Sequence, residues 1–571
     1  MRCPKLLLGA TVILAAPVAS DGAQAPLNPH PSSASLGQNP FRPQFDKYIE
    51  GLLDEWKVAG LAIGVVDAQR SYAKASASLR MPSSCDANTH VNKAYGYAQL
   101  PDVPATTDTL WYVGSTTKAQ VTAVLAQMID NQTHPALSRG WQTPISSIIR
   151  DDFVLADDWA TAHLTLEDAA SHRTGLSGHI DALPSTLGNG VAPATPGDIT
   201  RLLRHLPLSH APRTRWEYNN FMYVALSHAV EALTGEPLRE TLRRALWAPL
   251  GMASTFLNLR DVDRAARHRV ARGYYWDRAR GTFGEHPLWD APGIGGAGTE
   301  LSTVEDYVKW LACLIDRAAA LSAAAHADIR APRTVVPPEA YPPQGLDISM
   351  YGLAWFRTAI HGHVAYMHTG STETHGANVA WLPELGYGLV IFLNRASEIR
   401  HVIARKLIED RIGTPEADRF DVSEYWRKLL AAGEEAVDNA VDALFPERPT
   451  PALPSTHAPA ALVGSYHHPG YGTLDLCLDS ASGSEDASRG RPVLVADRKN
   501  LAFPVQWRFE HVSGDYWVVW RYGLVDTARP NAAYAARVET AVSGAVASIV
   551  VQLSEQGLGE GPLEIIFSRQ K

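Results

Sequence analysis

The sequence predicts an α+β protein in two parts: a domain whose sheet is assembled from both of its ends around a helical middle, and a separate antiparallel β domain behind it. Three observations carry this. Short apolar runs suited to buried strands occur at 61–66, 95–98 and 110–113, and again at 352–357, 364–367, 377–381 and 388–393. Between them, roughly 115 to 320 is dominated by helical patterns with short Pro- and Gly-punctuated connections. Beyond a Pro-dense stretch at 446–459, aromatic and β-branched runs such as 516–522 and 549–553 alternate with Gly, Asp and Ser turns.

Taken in order, residues 1–20 read as a secretory signal peptide. Arg2 and Lys5 precede the apolar run 6–16, and small residues follow Pro17 at cleavage points after Ser20 or Ala25. That run is shorter than the ~20 residues needed to span a bilayer, so a secreted protein with no integral membrane segment after signal removal is expected. Residues 21–44 form a flexible leader. Phe45, Tyr48, Ile49, Leu52, Leu53 and Trp56 then mark one face of a helix, and 68–90 reads as an inserted loop. The first domain is placed at 45–415, a helical connector and Pro-rich linker at 416–459, and the β domain at 460–571.

Composition narrows the function. Against 60 acidic residues stand only 51 Lys and Arg, so no basic excess exists to neutralise a phosphate backbone, and a nucleic-acid partner is excluded. Of 4 Cys, Cys3 lies in the signal, which leaves Cys85, Cys313 and Cys477, an odd set unsuited to a disulfide framework. Neither a His-Glu-x-x-His nor a Cys-x-x-Cys spacing occurs, so no metal and no cofactor are expected. Glycines 293, 295, 296 and 298 imitate a dinucleotide-binding pattern, but Pro292 stands where the preceding strand should be. A tight turn is expected there, with Ser302 and Glu305 capping the next helix.

The chemistry concentrates around Ser115-x-x-Lys118. Ser115 follows a strand signal and Gly114 and opens a helix, and a spacing of three puts its hydroxyl and the Lys118 amine on one face. A serine attacks only if a neighbour takes its proton, and a lysine does so only if kept neutral. Backbone N–H groups at the helix start suit a developing oxyanion. Taken alone, the same four residues also fit a helix-capping serine beside a solvated lysine. Downstream, Tyr218 and Asn220 precede another helical pattern, and a phenol beside a lysine ammonium would ionise more easily and relay a proton. Further on, His368, Thr369, Gly370 and Ser371 follow a strand; Gly370 would let a substrate approach the backbone, and the Ser371 N–H would be a second oxyanion donor.

In this order Ser115-x-x-Lys118, Tyr218-x-Asn220 and His368-Thr369-Gly370 resemble the serine β-lactamase and penicillin-binding-protein superfamily, in the branch of class C β-lactamases, D-aminopeptidases and related esterases. Segments 165–176, 248–252 and 296–303 resemble further stretches of that family. The resemblance implies a mixed sheet with flanking helices, a helical subdomain and a site between them. Ser115 would be the acylated nucleophile, Lys118 and Tyr218 the acid/base pair, and Asn220 the residue that orients substrate and lysine. His368 stands where many β-lactamases carry a lysine; a histidine is mostly neutral near pH 7, which disfavours β-lactam antibiotics and favours esters, amides or D-amino-acid peptides. Gly464-Ser465-Tyr466 and the aromatic strands resemble a lipocalin-like domain. A secreted serine hydrolase acting on a small molecule or short peptide is therefore expected. The same motifs also serve an acyltransferase or transesterase, or a β-lactam or peptidoglycan-binding protein that does not turn over. The stretch between Gly178 and Arg213 is expected to be a lid.

Overall fold

The computed structural model describes residues 39–68, 90–188, 190, 192–318, 320–338, 346–479, 493–553 and 562–570. The signal peptide, most of the leader, Cys3, Cys85 and nearly all of the inserted loop lie outside the described residues.

A nine-stranded sheet forms the first domain, and its order joins the two ends of the domain. Strand Gly60–Asp67 lies between His90–Gln99 on one side and Tyr387–Leu393 on the other, with Leu61 opposite both Tyr95 and Leu393. It is central because it is apolar on both faces, and every one of its residues is buried. Beyond Tyr387–Leu393 follow Gly376–Leu382, His363–Ser371 and Phe356–Ile360. All the pairings between neighbouring strands of this sheet are antiparallel, a refinement of the mixed sheet that the resemblance implied. The apolar run expected as one strand at 352–357 divides into Met350–Tyr351 and Phe356–Ile360, joined by a buried turn through Leu353, Ala354 and Trp355. Apolar content reports burial there, not backbone direction.

Helices cover both faces. Pro43–Glu55, with Pro at its first turn and Phe45, Ile49, Leu52 and Leu53 buried, packs with Ile399–Ile412 on one face. Val304–Asp316 packs on the other, capped by Thr303, whose side chain accepts from the Asp306 N–H. The cap is one residue later than expected because Ser302 is taken up by a short strand pairing with Trp111. Among the described residues no helix is long and apolar enough to cross a membrane.

Eight antiparallel strands from Gly464–His468 to Leu563–Arg569 close into a barrel, with Tyr466 opposite Arg569 at the seam. Closure removes the exposed sheet edges. Its buried side chains include Trp507, Phe509, Trp517, Tyr534 and Phe567, and the space left among Leu476, Phe509 and Trp517 is about 10 Å³. That is about the room one water needs. Helix Val422–Asp438 and the residues after it run onto the barrel, where Ala436 and Ala440 pack with Val512 and Val518. The Pro-rich segment is held there too, with the Leu453 N–H bound to Ser513 Oγ at 3.0 Å and Thr456 Oγ1 to Asp515 at 2.8 Å.

The expected lid is instead a docking surface. His179 Nδ1 meets the Tyr471 hydroxyl at 2.7 Å, the Ser185 N–H donates to the Asn500 carbonyl at 2.8 Å, and the Ala502 N–H donates to Leu183 at 2.8 Å. These bonds from His179–Ser185 reach the barrel, which no local pattern announces.

Candidate active site

The strand Trp111–Tyr112 leads through Gly114 into one 3₁₀ turn, 114–116, and then helix Thr117–Asp130. Gly114 has φ 55°, and a Cβ there would lie 2.6 Å from the Ser371 nitrogen. A Cβ on Gly370 would lie 1.9 Å from the Val113 carbonyl oxygen and 3.1 Å from the Ser115 nitrogen. Gly370 therefore admits the chain's own backbone, not a substrate, which corrects the role expected for it. The two glycines bring the backbone nitrogens of Ser115 and Ser371 to one place, the arrangement an oxyanion requires. Ser371 is exposed to the cleft, and its Oγ accepts from Arg400 Nη1 at 2.9 Å. Gly298 closes the third side, where a Cβ would stand 3.1 Å from the Gly114 carbonyl carbon. The glycine run set aside as a tight turn thus packs beneath the serine.

Lys118 is 0% exposed on the inward face of its helix. Its Nζ has Ser115 Oγ at 3.1 Å, Asn220 Oδ1 at 2.8 Å and the Ala297 carbonyl at 2.5 Å. The last two only accept. A neutral amine gives them its two hydrogens and turns its lone pair to the serine hydroxyl. Burial favours that form, holding the amine well below its ordinary value. The Nζ also sits 4.9 Å from the Tyr218 ring centre and 5.3 Å from that of Tyr223, with no carboxylate among these partners.

Tyr218 lies in extended chain just before helix Asn220–Thr234, which Asn219 caps through the Met222 N–H. Its ring is half-buried against the cleft. Its hydroxyl is buried without a hydrogen bond of normal geometry, and Ser115 is the side chain that acts on it electrostatically. Burial raises this phenol well above its ordinary value, outweighing the effect of Ser115. The easier ionisation expected of a phenol beside an ammonium is thereby reversed: burial favours the free amine and the protonated phenol.

His368 is 2% exposed, and both ring nitrogens are engaged. Nδ1 donates to the Thr369 carbonyl at 2.6 Å, so Nε2 accepts from the Tyr351 hydroxyl at 3.0 Å. Burial brings its pKa down to about 3, so it is neutral. Thr369 faces the cleft beside it. Two residues the sequence reading did not single out complete this wall. Tyr351 orients His368, and His172, at φ 58°, has its ring centre 4.3 Å from that of Tyr218 at a tilt of 42°, while its Nδ1 accepts from the Asn219 N–H at 3.1 Å. The turn bearing His172 is fixed by a Thr165–Asp168 capping box and by Arg173, which reaches Asp168 at 2.7 Å and Glu167 at 2.6 Å. His172 lay within a segment already quoted for the family; Tyr351 had no sequence signal.

Behind the serine lies a fully buried carboxyl, Glu300. Gln120 Nε2 donates to its Oε1 at 2.8 Å, Trp247 Nε1 donates to Gln120 at 2.6 Å, and the neighbouring Tyr307 meets Thr116 at 2.9 Å. Burial pushes Glu300 up to about 8, against the lowering effect of Tyr307 and Gln120. An acid that holds its proton in the folded but not the unfolded chain loses stability as pH rises from the unfolded to the folded pKa. Glu300→Gln is therefore expected to flatten that decline. Its stability relative to wild type should rise by on the order of 3 kcal/mol between pH 5 and pH 8, at about 1.4 kcal/mol per unit. Urea unfolding at the two pH values checks this, and an equal difference at both would mean that Glu300 is ionised in the fold.

Ser115, Tyr218, Asn220, His368, Thr369 and Ser371 open onto a cleft of about 620 Å³. On its rim His286 Nε2 pairs with Glu373 at 2.8 Å, and against the effect of burial this carboxylate holds the imidazole above its ordinary value. Among the described residues no group of three His, Cys, Asp or Glu lies together to hold a metal ion.

Fold and cluster together define a protein of the β-lactamase fold. A family model described as Beta-lactamase matches residues 45–411, and the chain belongs to that family. It is 34% identical over 508 residues to the unguisins hydrolase of Aspergillus violaceofuscus, a match covering 85% of this chain and 84% of that protein. The unguisins hydrolase of Aspergillus campestris is 33% identical over 486 residues, covering 84% of each. The octameric penicillin-binding protein homologue from Pyrococcus abyssi superposes with a TM-score of 0.55 over 91% of this chain and 99% of its own at 17% identity, a likeness of fold alone.

Proposed function

We propose that this protein is a serine hydrolase that cleaves an amide or ester through an acyl-enzyme on Ser115. The observation that carries the reading is the Lys118 amine, fully buried, with two acceptors for its hydrogens and the Ser115 hydroxyl for its lone pair. In this reading Ser115 Oγ attacks the substrate carbonyl carbon as its proton passes to Lys118 Nζ. The N–H groups of Ser115 and Ser371 hold the oxyanion. Tyr218, protonated at rest and beside both Ser115 and Lys118, delivers a proton to the leaving nitrogen or oxygen as the carbonyl re-forms, and Lys118 restores it. Water then attacks the ester with the same groups acting in reverse. Asn220 holds the amine in place.

The neutral His368 offers no fixed cation for a substrate carboxylate, so the substrates favoured are esters, amides and peptides, D-amino-acid peptides included. The two relatives sharing most of this chain's length are named for hydrolysing unguisins, which supports a substrate of that kind. The test is intact mass during turnover of p-nitrophenyl acetate. A transient increment of one acetyl group, mapped by peptide digestion to Ser115, is expected; steady release of p-nitrophenol with no adduct on that residue would defeat the reading.

A further inference from the structure

Part of the lining of the cleft onto which Ser115 opens does not come from the β-lactamase-fold domain. Phe503, Val505, Leu524 and Val525, which line it, belong to the barrel. The segment carrying Leu524 and Val525 is tied down at both ends. Arg521, closing strand Tyr516–Gly523, binds Asn531 Oδ1 at 2.9 Å, and the Asn531 N–H donates to the Arg521 carbonyl at 2.8 Å. Arg529 further anchors it, reaching Asp438 at 2.8 Å and the Glu434 carbonyl at 2.9 Å. The barrel itself is fixed to the first domain by the buried Arg521–Asp181 pair and by Trp289 Nε1 donating to the Ala502 carbonyl at 2.6 Å.

The wall is apolar at Phe503, Val505, Leu524 and Val525, and polar beyond them at Asp526, Arg529 and Asn531. Ile180 and Phe356 also line the cleft, and three of its charged groups are paired within the protein, Arg521 with Asp181, His286 with Glu373 and Arg529 with Asp438, while Asp526 stands exposed beside Val525. Among the described residues the barrel interior carries buried aromatic side chains, and the space left among Leu476, Phe509 and Trp517 is about 10 Å³. On its outside the barrel lines the cleft onto which Ser115 opens.

We propose that the barrel is part of the active site, and that Leu524 and Val525, backed by Phe503, form a subsite for a bulky apolar group flanking the scissile bond. The proposal rests on the Ser115 acyl-enzyme reading. Apolar surface buried against this wall would favour large hydrophobic substrates over small ones, so the barrel sets specificity without touching the reacting atoms.

The full-length protein is assayed on p-nitrophenyl hexanoate and p-nitrophenyl acetate, alongside Leu524→Ser/Val525→Ser. The quantity read is the hexanoate-to-acetate ratio of kcat/KM, which loss of folded protein leaves unchanged because both rates fall together. A wild-type preference for hexanoate and a drop of about tenfold in the double variant are expected. A ratio within about twofold of wild type, or a wild type that does not prefer hexanoate, overturns the subsite. Should the double variant fail to accumulate folded, Leu524→Val is expected to lower the ratio by about threefold, and an unmoved ratio there counts equally against the subsite. Ser115→Ala run beside them separates the two readings. If acetate hydrolysis survives that change, the acyl-enzyme reading has failed; if it vanishes while the ratio is unmoved, only the subsite has.

Discussion

Ser115→Ala is expected to lower kcat/KM for p-nitrophenyl acetate by about 10⁴- to 10⁶-fold, Lys118→Met by nearly as much, and the double variant by no more than the worse single change. The non-additivity follows from the geometry. Ser115 Oγ and Lys118 Nζ stand 3.1 Å apart with the amine held by Asn220 and Ala297, so nucleophile and base act as one unit, and removing either leaves the other nothing to do. Lys118→Arg should not rescue, because a guanidinium keeps its proton. Losses that multiply would indicate two separate contributions and count against the proposed pair. The pH profile gives a second reading of the same site. Burial lowers Lys118 and raises Tyr218, so the working state is free amine and protonated phenol. Activity therefore rises with pH as the amine sheds its proton, and that limb lies well below the ordinary lysine range. A limb near the ordinary lysine value would mean that Lys118 is solvated and charged.

Asp181→Ala is expected to cost about 3–5 kcal/mol in urea unfolding, the price of stranding a buried charge. Asp181 and Arg521 have side chains 2% and 9% exposed and meet at 3.0 Å, and the Tyr534 hydroxyl reaches the same carboxylate at 3.3 Å. Against the effect of burial, Asp181 holds the guanidinium above its ordinary value. The substitution leaves Arg521 charged and unpaired between the two domains, so the barrel should come away first, as a separate transition in tryptophan fluorescence. Asp181→Leu combined with Arg521→Met removes both charges and should recover much of the loss. A change below about 1 kcal/mol for Asp181→Ala would mean that the pair is wet and the docking rests elsewhere.

The candidate site was legible where its chemistry is local. Ser115 and Lys118 stand three apart and Tyr218 and Asn220 flank one helix start, so residue type and spacing brought out each pair, and the order of the motifs, through the resemblance to the β-lactamase family, joined them. Tyr351 had no sequence signal, and Ala297, though within the quoted segment 296–303, carried none for its bond to Lys118, because each reaches the site from a distant segment. Glu300 was invisible for a different reason: its sequence neighbours say nothing of a carboxyl buried at 0% exposure behind the serine. The role of Gly370 was misread because a glycine records only that something comes close; the fold shows that the Val113 carbonyl does.

By itself, then, the order of the chain determined the α+β domain with strands from both ends, the β domain behind it, and the residue types of a serine–lysine–tyrosine site. Periodicity and short-range spacing follow from backbone geometry, which every segment carries with it. Only the tertiary structure decided which groups are charged, what the glycines admit, and that the barrel walls the cleft. Desolvation and close approach depend on what packs against a residue from elsewhere in the chain.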